Sequence, residues 1–143
     1  PNFERQRRSQ IMTKAELKIK VNELPENRIS VEIEVPAARG KASYDEALSR
    51  LGSSIRLPGF RPGKVPKQVI LQQIGMARIK AAALEKLIDR AWKEALVQES
   101  LEPTSKAEMK EELQTLVDRF NPDQHITFTL EAEVASKEQE KEE

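Results

Sequence analysis

Residues 57–66 place an aromatic side chain close to two cations in a segment that is expected to form turns. Their sequence is Leu-Pro-Gly-Phe-Arg-Pro-Gly-Lys-Val-Pro. Its three prolines and two glycines exclude this segment from the interior of a helix or from a central strand. A loop that presents Phe60 next to Arg61 and Lys64 could bind a partner through one apolar ring and two positive charges. The alternative is a rigid turn whose Phe60 packs back onto the core.

The cations around this loop have no acidic neighbours in the sequence. The formal net charge of the chain is zero, with 24 basic and 24 acidic residues. Between Ala47 and Leu84 there is no Asp or Glu, but there are seven cations: Arg50, Arg56, Arg61, Lys64, Lys67, Arg78 and Lys80. From Glu99 onward the balance reverses, with 13 acidic residues against five basic ones. Such a local positive field favours phosphate as a partner, unless the cations find acidic partners elsewhere in the fold.

Composition limits the class of protein. A chain of 143 residues is expected to form one domain with a single modest core. The absence of cysteine excludes disulfides, a thiol nucleophile and thiolate metal ligands, and it fits a reducing compartment. No apolar stretch is long enough to span a bilayer, so we expect no membrane partner. We also expect a flexible N-terminal segment at residues 1–14, which carry Arg5, Arg7 and Arg8, and an acidic flexible tail at residues 136–143.

No residues in the sequence form a recognisable catalytic set. His125 is the only histidine, with no cysteine or second imidazole to act with, so we expect it to be structural or solvated. The carboxylates lie on predicted strand faces, helix ends and the tail, where nothing would raise their pKa values for acid-base catalysis. Gly59 and Gly63 flank three residues, a spacing that matches neither a Walker loop nor a dinucleotide fingerprint. The sequence therefore predicts a binding module rather than an enzyme, with no catalytic residue, metal site or cofactor.

Alternating apolar and polar residues predict three strands. The alternation covers residues 17–21, 29–35 and 126–134, and it has the period of half-buried strands. The sequence Leu-Pro-Glu-Asn at 24–27 places a short turn between the first two runs. These two strands are therefore predicted to form an antiparallel hairpin.

Helical patterns lie on both sides of the loop. Ser43 and Glu46 form a capping-box pattern that predicts the start of a helix, which Pro58 must end. After the loop, Pro66 fits the first position of a short helix and Gly75 fits its left-handed end. Two predicted helices therefore hold the ends of the loop.

A longer apolar stripe predicts a helix over residues 77–99, with Trp92 in the core rather than at a binding surface. A second capping-box pattern at 105–108 precedes helical spacing, so we predict a helix over 111–119 and leave 104–110 unassigned. The resulting order predicts an α+β domain. It has a three- to four-stranded, mostly antiparallel sheet packed against helices, with the loop projecting between two helices.

Residues 59–66, Gly-Phe-Arg-Pro-Gly-Lys-Val-Pro, resemble the G-F-R-x-G-K-x-P signature of the trigger factor family of ribosome-associated chaperones. The resemblance extends through the predicted hairpin and the helices on both sides of the loop, over residues 15–135. It implies the N-terminal ribosome-binding domain of that family, with Phe60 and Arg61 as the main contacts. The implied ribosome-binding residues are Gly59, Phe60, Arg61, Pro62, Gly63 and Lys64, with Arg56 and Lys67 as a supporting basic region.

The resemblance also implies partners and a location. In the family this loop docks on the large ribosomal subunit beside the nascent-chain exit, where it touches a ribosomal protein and ribosomal RNA. The implied function is to hold a chaperone at that exit and to assist the folding of newly made proteins. Nascent polypeptides are the implied clients, and self-association is a further option. The implied location is the cytoplasm or, since the resemblance leans toward the cyanobacterial and plastid branch, the plastid stroma.

Three features depart from the family pattern. Pro62 stands where the family often has a basic residue, which removes one cation and stiffens the loop. The family would have a strand near residues 104–110, where this sequence is charged and helical in spacing. Full-length members continue into a prolyl-isomerase domain and a helical chaperone domain, and we expect both to be absent here. The chain is then either a fragment or a short stand-alone homologue, and we expect it to have no isomerase activity. The alternative function is a stand-alone RNA- or protein-binding adaptor that keeps the fold and has lost or weakened ribosome docking.

Overall fold

The strands and helices follow one another in an order typical of α+β domains. The structure, a computed structural model, describes residues 16–135. Its elements are β1 (Lys18–Leu24), β2 (Arg28–Val35), α1 (Ala37–Ser54), α2 (Lys67–Ile74), α3 (Met76–Gln98), β3 (Glu108–Met109), α4 (Leu113–Arg119) and β4 (Ile126–Glu133). The strands form one antiparallel sheet in the order β1-β2-β4-β3. The predicted fold class is confirmed, with four strands, whereas the segments predicted to be flexible at 1–14 and 136–143 lie outside the described residues.

The first two strands form the predicted hairpin. β1 and β2 pair antiparallel, with Ile19 opposite Ile33. The turn between them uses Glu26 and Asn27 with positive φ angles of 64° and 56°. Asn adopts this left-handed conformation more readily than most residues. The turn therefore fits the sequence that connects the strands.

The core of the sheet lies on the face that α3 and α4 cover. In β2 and β4 the alternating apolar residues share this face, and Ile33 lies opposite Phe128, both without exposed surface. Leu84 of α3 and Leu116 of α4 belong to the same cluster and are equally buried. Trp92 packs against this cluster, so its predicted place in the core is confirmed.

A second apolar cluster lies between α1, α2 and the first turns of α3. Its buried members are Ala47, Leu48, Val65, Ile70, Ile79 and Ala83. α1 and α3 run antiparallel, because Arg39 near the start of α1 pairs with Glu94 near the end of α3. Over its 18 residues, α1 carries the chain about 27 Å from Pro36, at the end of β2, to the loop. The loop is therefore held by a cluster of its own rather than by the core of the sheet.

The predicted start of the helix before the loop is wrong. α1 begins at Ala37, directly after Pro36, and Ser43 lies inside the helix. Ser43 is buried, and its hydroxyl donates a hydrogen bond to the carbonyl oxygen of Ala83 on α3, at 2.9 Å. The capping-box pattern gave a wrong helix start because a serine hydroxyl can accept a hydrogen bond from a nearby amide or donate one to a distant carbonyl oxygen. Ser43 therefore joins α1 to α3 instead of capping a helix.

The next two helices have nearly the predicted ends. Pro66 is the residue before α2 rather than its first residue. Gly75, with a φ angle of 91°, ends α2 as predicted and directly precedes α3. The helix predicted over 77–99 is confirmed as α3.

Residues 104–110 contain an edge strand. β3 has only two residues, and its Met109 pairs with Leu130 of β4. The amide of Glu133 donates a hydrogen bond to the hydroxyl of Ser105 at 2.9 Å, so the capping-box pattern at 105–108, a segment left unassigned from the sequence, belongs to the edge of the sheet. The strand that the family resemblance implied is present, and α4 begins two residues later than the helix predicted from the spacing.

Candidate binding loop

Helices hold both ends of the loop that sequence analysis singled out. Gly52, near the end of α1, packs so closely on α2 that a Cβ atom at this position would stand 2.3 Å from Ile70 Cδ1. A larger residue at position 52 would therefore force the Ile70 side chain to move. Val65 is buried in the second cluster at one end of the loop, and Leu57 packs against the same cluster at the other end. The base of the loop is therefore fixed to α1 and α2.

Two consecutive turns make up the exposed part of the loop. In each turn the amide of the last residue donates a hydrogen bond to the carbonyl oxygen of the first, at 3.2 Å in residues 57–60 and at 2.9 Å in residues 61–64. Each turn has proline in its second position and glycine in its third, and the φ angles of Gly59 and Gly63 are 86° and 80°. These features are typical of type II turns, whose third residue needs a positive φ angle. The loop is therefore two rigid turns in series rather than an irregular linker.

The predicted contact residues share one exposed surface. Phe60 keeps 43% of its surface exposed, so the alternative in which it packs back onto the core is wrong. The six residues predicted for the site are all exposed: Gly59, Phe60, Arg61, Pro62, Gly63 and Lys64. An exposed aromatic beside an arginine is typical of residues that contribute strongly to binding at interfaces. The loop can therefore offer apolar and cationic contact at the same place.

The cations around the loop form no ion pair in the described part of the chain, although the charge of Arg50 helps to lower the pKa of Glu46. None of the seven cations between Ala47 and Leu84 takes part in an ion pair within residues 16–135. The alternative in which they pair with acidic residues elsewhere in the fold is therefore wrong for this range. Arg56 and Lys67, the predicted supporting region, are exposed on either side of the two turns. The potential around the loop is therefore positive.

Groups with shifted pKa values lie outside the loop. Two hydrogen bonds from Arg90, both at 3.2 Å, together with its charge, lower the pKa of Glu46. Burial raises the pKa of Tyr44. His125 stands 3.7 Å from the carboxylate of Glu34, on the sheet. None of these contacts brings an acid and a base together beside the two turns.

The described residues carry no sign of a metal centre or a membrane span. Within residues 16–135, no group of three or more His, Cys, Asp or Glu side chains could hold a metal ion. In the same range, no helix is both long enough and apolar enough to cross a membrane. The exposed residues of the loop offer one aromatic ring and several cations for contact with a partner.

Gly52, which allows the close contact between α1 and α2, is a functional position that the sequence did not indicate. A small residue one turn after the apolar Leu48 is the signal that could have indicated a close contact between helices. The signal is weak because glycine also ends or interrupts helices.

Comparison with known proteins identifies trigger factors among the relatives of this chain. The family model described as "Bacterial trigger factor protein (TF)" matches residues 17–140. The trigger factor of one strain of Prochlorococcus marinus is 52% identical over 124 residues, which is 87% of this chain and 27% of that protein. The trigger factor of a Synechococcus species is also 52% identical over 124 residues, which is 87% of this chain and 28% of that protein. The chain therefore spans little more than a quarter of the length of these relatives.

A solved structure has the same fold. It comes from work on promiscuous substrate recognition in the folding and assembly activities of the trigger factor chaperone. It matches 82% of this chain and 26% of its own length, with a TM-score of 0.63 and 20% sequence identity. At this identity the similarity shows the shared fold alone.

Proposed function

The chain belongs to the trigger factor family, and we propose that residues 15–135 form its ribosome-docking module. In this proposal, loop 57–66 binds the large ribosomal subunit beside the nascent-chain exit. A chaperone held there meets newly made proteins as they emerge and assists their folding. The observation that carries the proposal is the exposed pair Phe60 and Arg61 on two rigid turns.

The loop can supply two kinds of binding energy. Burial of an aromatic side chain such as Phe60 against a ribosomal protein contributes about 1.5–3 kcal/mol. Arg61 and Lys64 can displace counterions from the phosphates of ribosomal RNA, with a gain that depends on salt. Because the two turns are already rigid, little conformational entropy is lost when the loop binds. A ribosomal protein is therefore the partner for the ring, and ribosomal RNA is the partner for the cations.

The supporting region acts at longer range. Arg56 and Lys67 extend the positive potential on both sides of the turns, which increases the rate of encounter with an anionic surface. The proposal assigns no catalytic step, metal or cofactor to the described residues, and it leaves prolyl isomerisation to a different domain of the family. The proposed clients are nascent polypeptides, and the proposed location is the cytoplasm or the plastid stroma. Self-association is not needed for docking.

One observation favours a second function. Pro62 stands where the family often has a basic residue, so the loop has one cation fewer. A stand-alone RNA- or protein-binding adaptor that keeps the fold and has lost or weakened ribosome docking would tolerate this change. The exposed ring of Phe60 argues against an adaptor that binds only an RNA backbone, because such a backbone offers the ring no apolar surface.

Sedimentation with purified ribosomal subunits tests the proposal. The full chain is mixed with large subunits and, separately, with small subunits, and each mixture is centrifuged through a sucrose cushion. The docking module is expected to pellet with the large subunit only. Absence from both pellets, or equal amounts in both, would favour the adaptor.

A further inference from the structure

A recess lies beside the loop, between α1 and α2. Its volume is about 240 Å³. Leu48, Val65 and Ile70, which are buried members of the second apolar cluster, form its aliphatic part, and serine, glycine and lysine residues form the rest. A cavity of about 150 Å³ with aliphatic walls holds a molecule the size of benzene. The recess is therefore large enough for one aliphatic side chain of a partner.

The walls of the recess connect it to the loop. Gly63, the third residue of the second turn, and Lys67, at the start of α2, both line it. Ser53 lines the α1 side, and its hydroxyl donates a hydrogen bond to the carbonyl oxygen of Arg50 at 2.9 Å. A partner that covers the second turn therefore lies directly over the opening.

We propose that this recess receives an aliphatic side chain from a ribosomal protein, with a carboxylate next to it that pairs with Lys67. The inference rests on the proposed function and adds a second apolar contact to that of Phe60. Lys67 has no ion-pair partner in residues 16–135 and lies in the stretch without Asp or Glu, so an acidic neighbour is complementary to it. RNA is a poor occupant, because unpaired bases bind by stacking on aromatic or arginine side chains, and none lines the recess.

Two adjacent serines provide the test. Ser53 lines the recess and Ser54 does not, yet both are exposed and both donate to a carbonyl oxygen three residues earlier at 2.9 Å. Ser53→Trp is expected to fill the recess, and Ser54→Trp makes the same change outside it. In titrations of the full chain with purified large ribosomal subunits, Ser53→Trp is expected to weaken binding about ten- to a hundredfold, the effect of losing one buried aliphatic side chain. Ser54→Trp is expected to bind like the unmodified chain.

The outcomes separate the recess from the docking function. If the unmodified chain and both tryptophan variants bind equally well, the recess is not a contact, while docking through the loop stands. If the unmodified chain does not bind large subunits, the proposed function fails, and the recess inference fails with it. Circular dichroism and thermal melting of both variants report whether a lost affinity arises from misfolding.

Crosslinking identifies the occupant. Because the chain has no cysteine, the variants Ser53→Cys and Ser54→Cys each carry one thiol for a maleimide photocrosslinker. After irradiation with large subunits, Ser53→Cys is expected to crosslink to a ribosomal protein in higher yield than Ser54→Cys. Mass spectrometry of the crosslinked peptide is expected to show an aliphatic residue close to Asp or Glu. Crosslinks to ribosomal RNA alone would overturn the proposal.

Discussion

Phe60 and Arg61 are consecutive in the chain but belong to different turns. Phe60 closes the turn 57–60 with its amide, and Arg61 opens the turn 61–64 with its carbonyl oxygen. Each turn has its own hydrogen bond and its own Pro-Gly pair, so the peptide bond between these residues joins two rigid units. Two adjacent residues of a rigid segment therefore expose an aromatic and a cationic side chain.

Binding to ribosomes should weaken as salt increases. If Arg61, Lys64 and one further cation contact two or three phosphates, the slope of log K against log salt is expected to lie between about −1.4 and −2.7. Affinity is measured by fluorescence titration of the labelled chain at several potassium chloride concentrations. Lys64→Gln should make the slope shallower by about 0.7–0.9. A flat response in the unmodified chain would mean that the contact is apolar and involves protein alone.

Replacing Pro62 by lysine should strengthen ribosome binding. Pro62 is the second residue of its turn, a position that lysine can also adopt, although loss of the proline costs about 0.4–1 kcal/mol of pre-ordering. An exposed ion pair contributes typically about 0–1 kcal/mol, but ribosomal RNA brings several phosphates near one loop. We therefore expect a net gain for Pro62→Lys in the same titration.

Pro58→Lys is the matched control for Pro62→Lys. Pro58 is also exposed and is the second residue of the first turn. The two variants gain the same charge and lose the same kind of residue. If Pro62→Lys binds no better than the unmodified chain, rigidity of the loop matters more than its charge. If both variants gain equally, the effect is general attraction rather than a contact at residue 62.

Gly52→Ala should destabilise the chain although alanine favours helices. The added Cβ would stand 2.3 Å from Ile70 Cδ1, and overpacking of this kind typically costs about 1–3 kcal/mol. Alanine gains about 0.8–1.0 kcal/mol over glycine in helix propensity. The expected net loss in the free energy of unfolding is therefore up to about 2 kcal/mol. Urea unfolding followed by circular dichroism measures the difference.

Two further variants identify the cause. Ile70→Val removes the Cδ1 atom, so the effect of Gly52→Ala should be smaller in the Ile70→Val background. Gly40→Ala, on the same helix, would place its Cβ in ordinary contact with the Phe120 ring at 3.6 Å and should be neutral or stabilising. If Gly40→Ala and Gly52→Ala have the same effect, the close approach of α1 and α2 is not what residue 52 provides.

The contribution of Glu46 to stability should depend on pH. Arg90 lowers the pKa of Glu46 in the folded chain, so the ion pair stabilises the fold above the ordinary glutamate pKa of about 4.3. This stabilisation is lost as pH falls through the lowered pKa. The difference in melting temperature between the unmodified chain and Glu46→Gln should therefore be largest near neutral pH and disappear in acid.

Glu85→Gln is the control for the pH effect. Glu85 is exposed on α3 and takes part in no ion pair within the described residues. Its replacement should change the melting temperature little at any pH. A difference for Glu46→Gln that stays constant from neutral pH to acid would exclude the ion pair as its cause.

The features that the sequence predicted correctly have local causes. Alternation of apolar and polar residues predicted the strands β1, β2 and β4. Gly75 ends α2 because the chain there has a positive φ angle, which glycine adopts readily. The exposed loop also follows from local chemistry, since the Pro-Gly pairs at 58–59 and 62–63 favour turns and interrupt helices. Fold class and the place of the candidate site were therefore predictable.

The features that the sequence did not predict depend on contacts between distant residues. The acceptor of the Ser43 hydroxyl is Ala83, 40 residues away, and no local pattern distinguishes this bond from a cap. The family resemblance implied a strand near residues 104–110, but periodicity could not predict β3, because the two residues that pair with β4 are too few for a periodic signal. The recess is lined by Ser53 of α1 and Lys67 of α2, so it forms only when these two helices pack together. Such contacts become visible only when the helices and strands are packed together.

Phe60 and Arg61 are the residues that we propose bind the ribosome, and co-sedimentation of the double variant Phe60→Ala with Arg61→Ala is the decisive experiment. Loss of the ring alone should weaken binding about ten- to a hundredfold. The control is Met76→Ala with Arg78→Ala, since Met76 is 55% exposed and Arg78 is also exposed, both outside the loop. We predict that the loop variant is absent from the ribosome pellet with an unchanged circular dichroism spectrum, while the control pellets like the unmodified chain. A loop variant that still pellets with ribosomes like the unmodified chain would contradict the account.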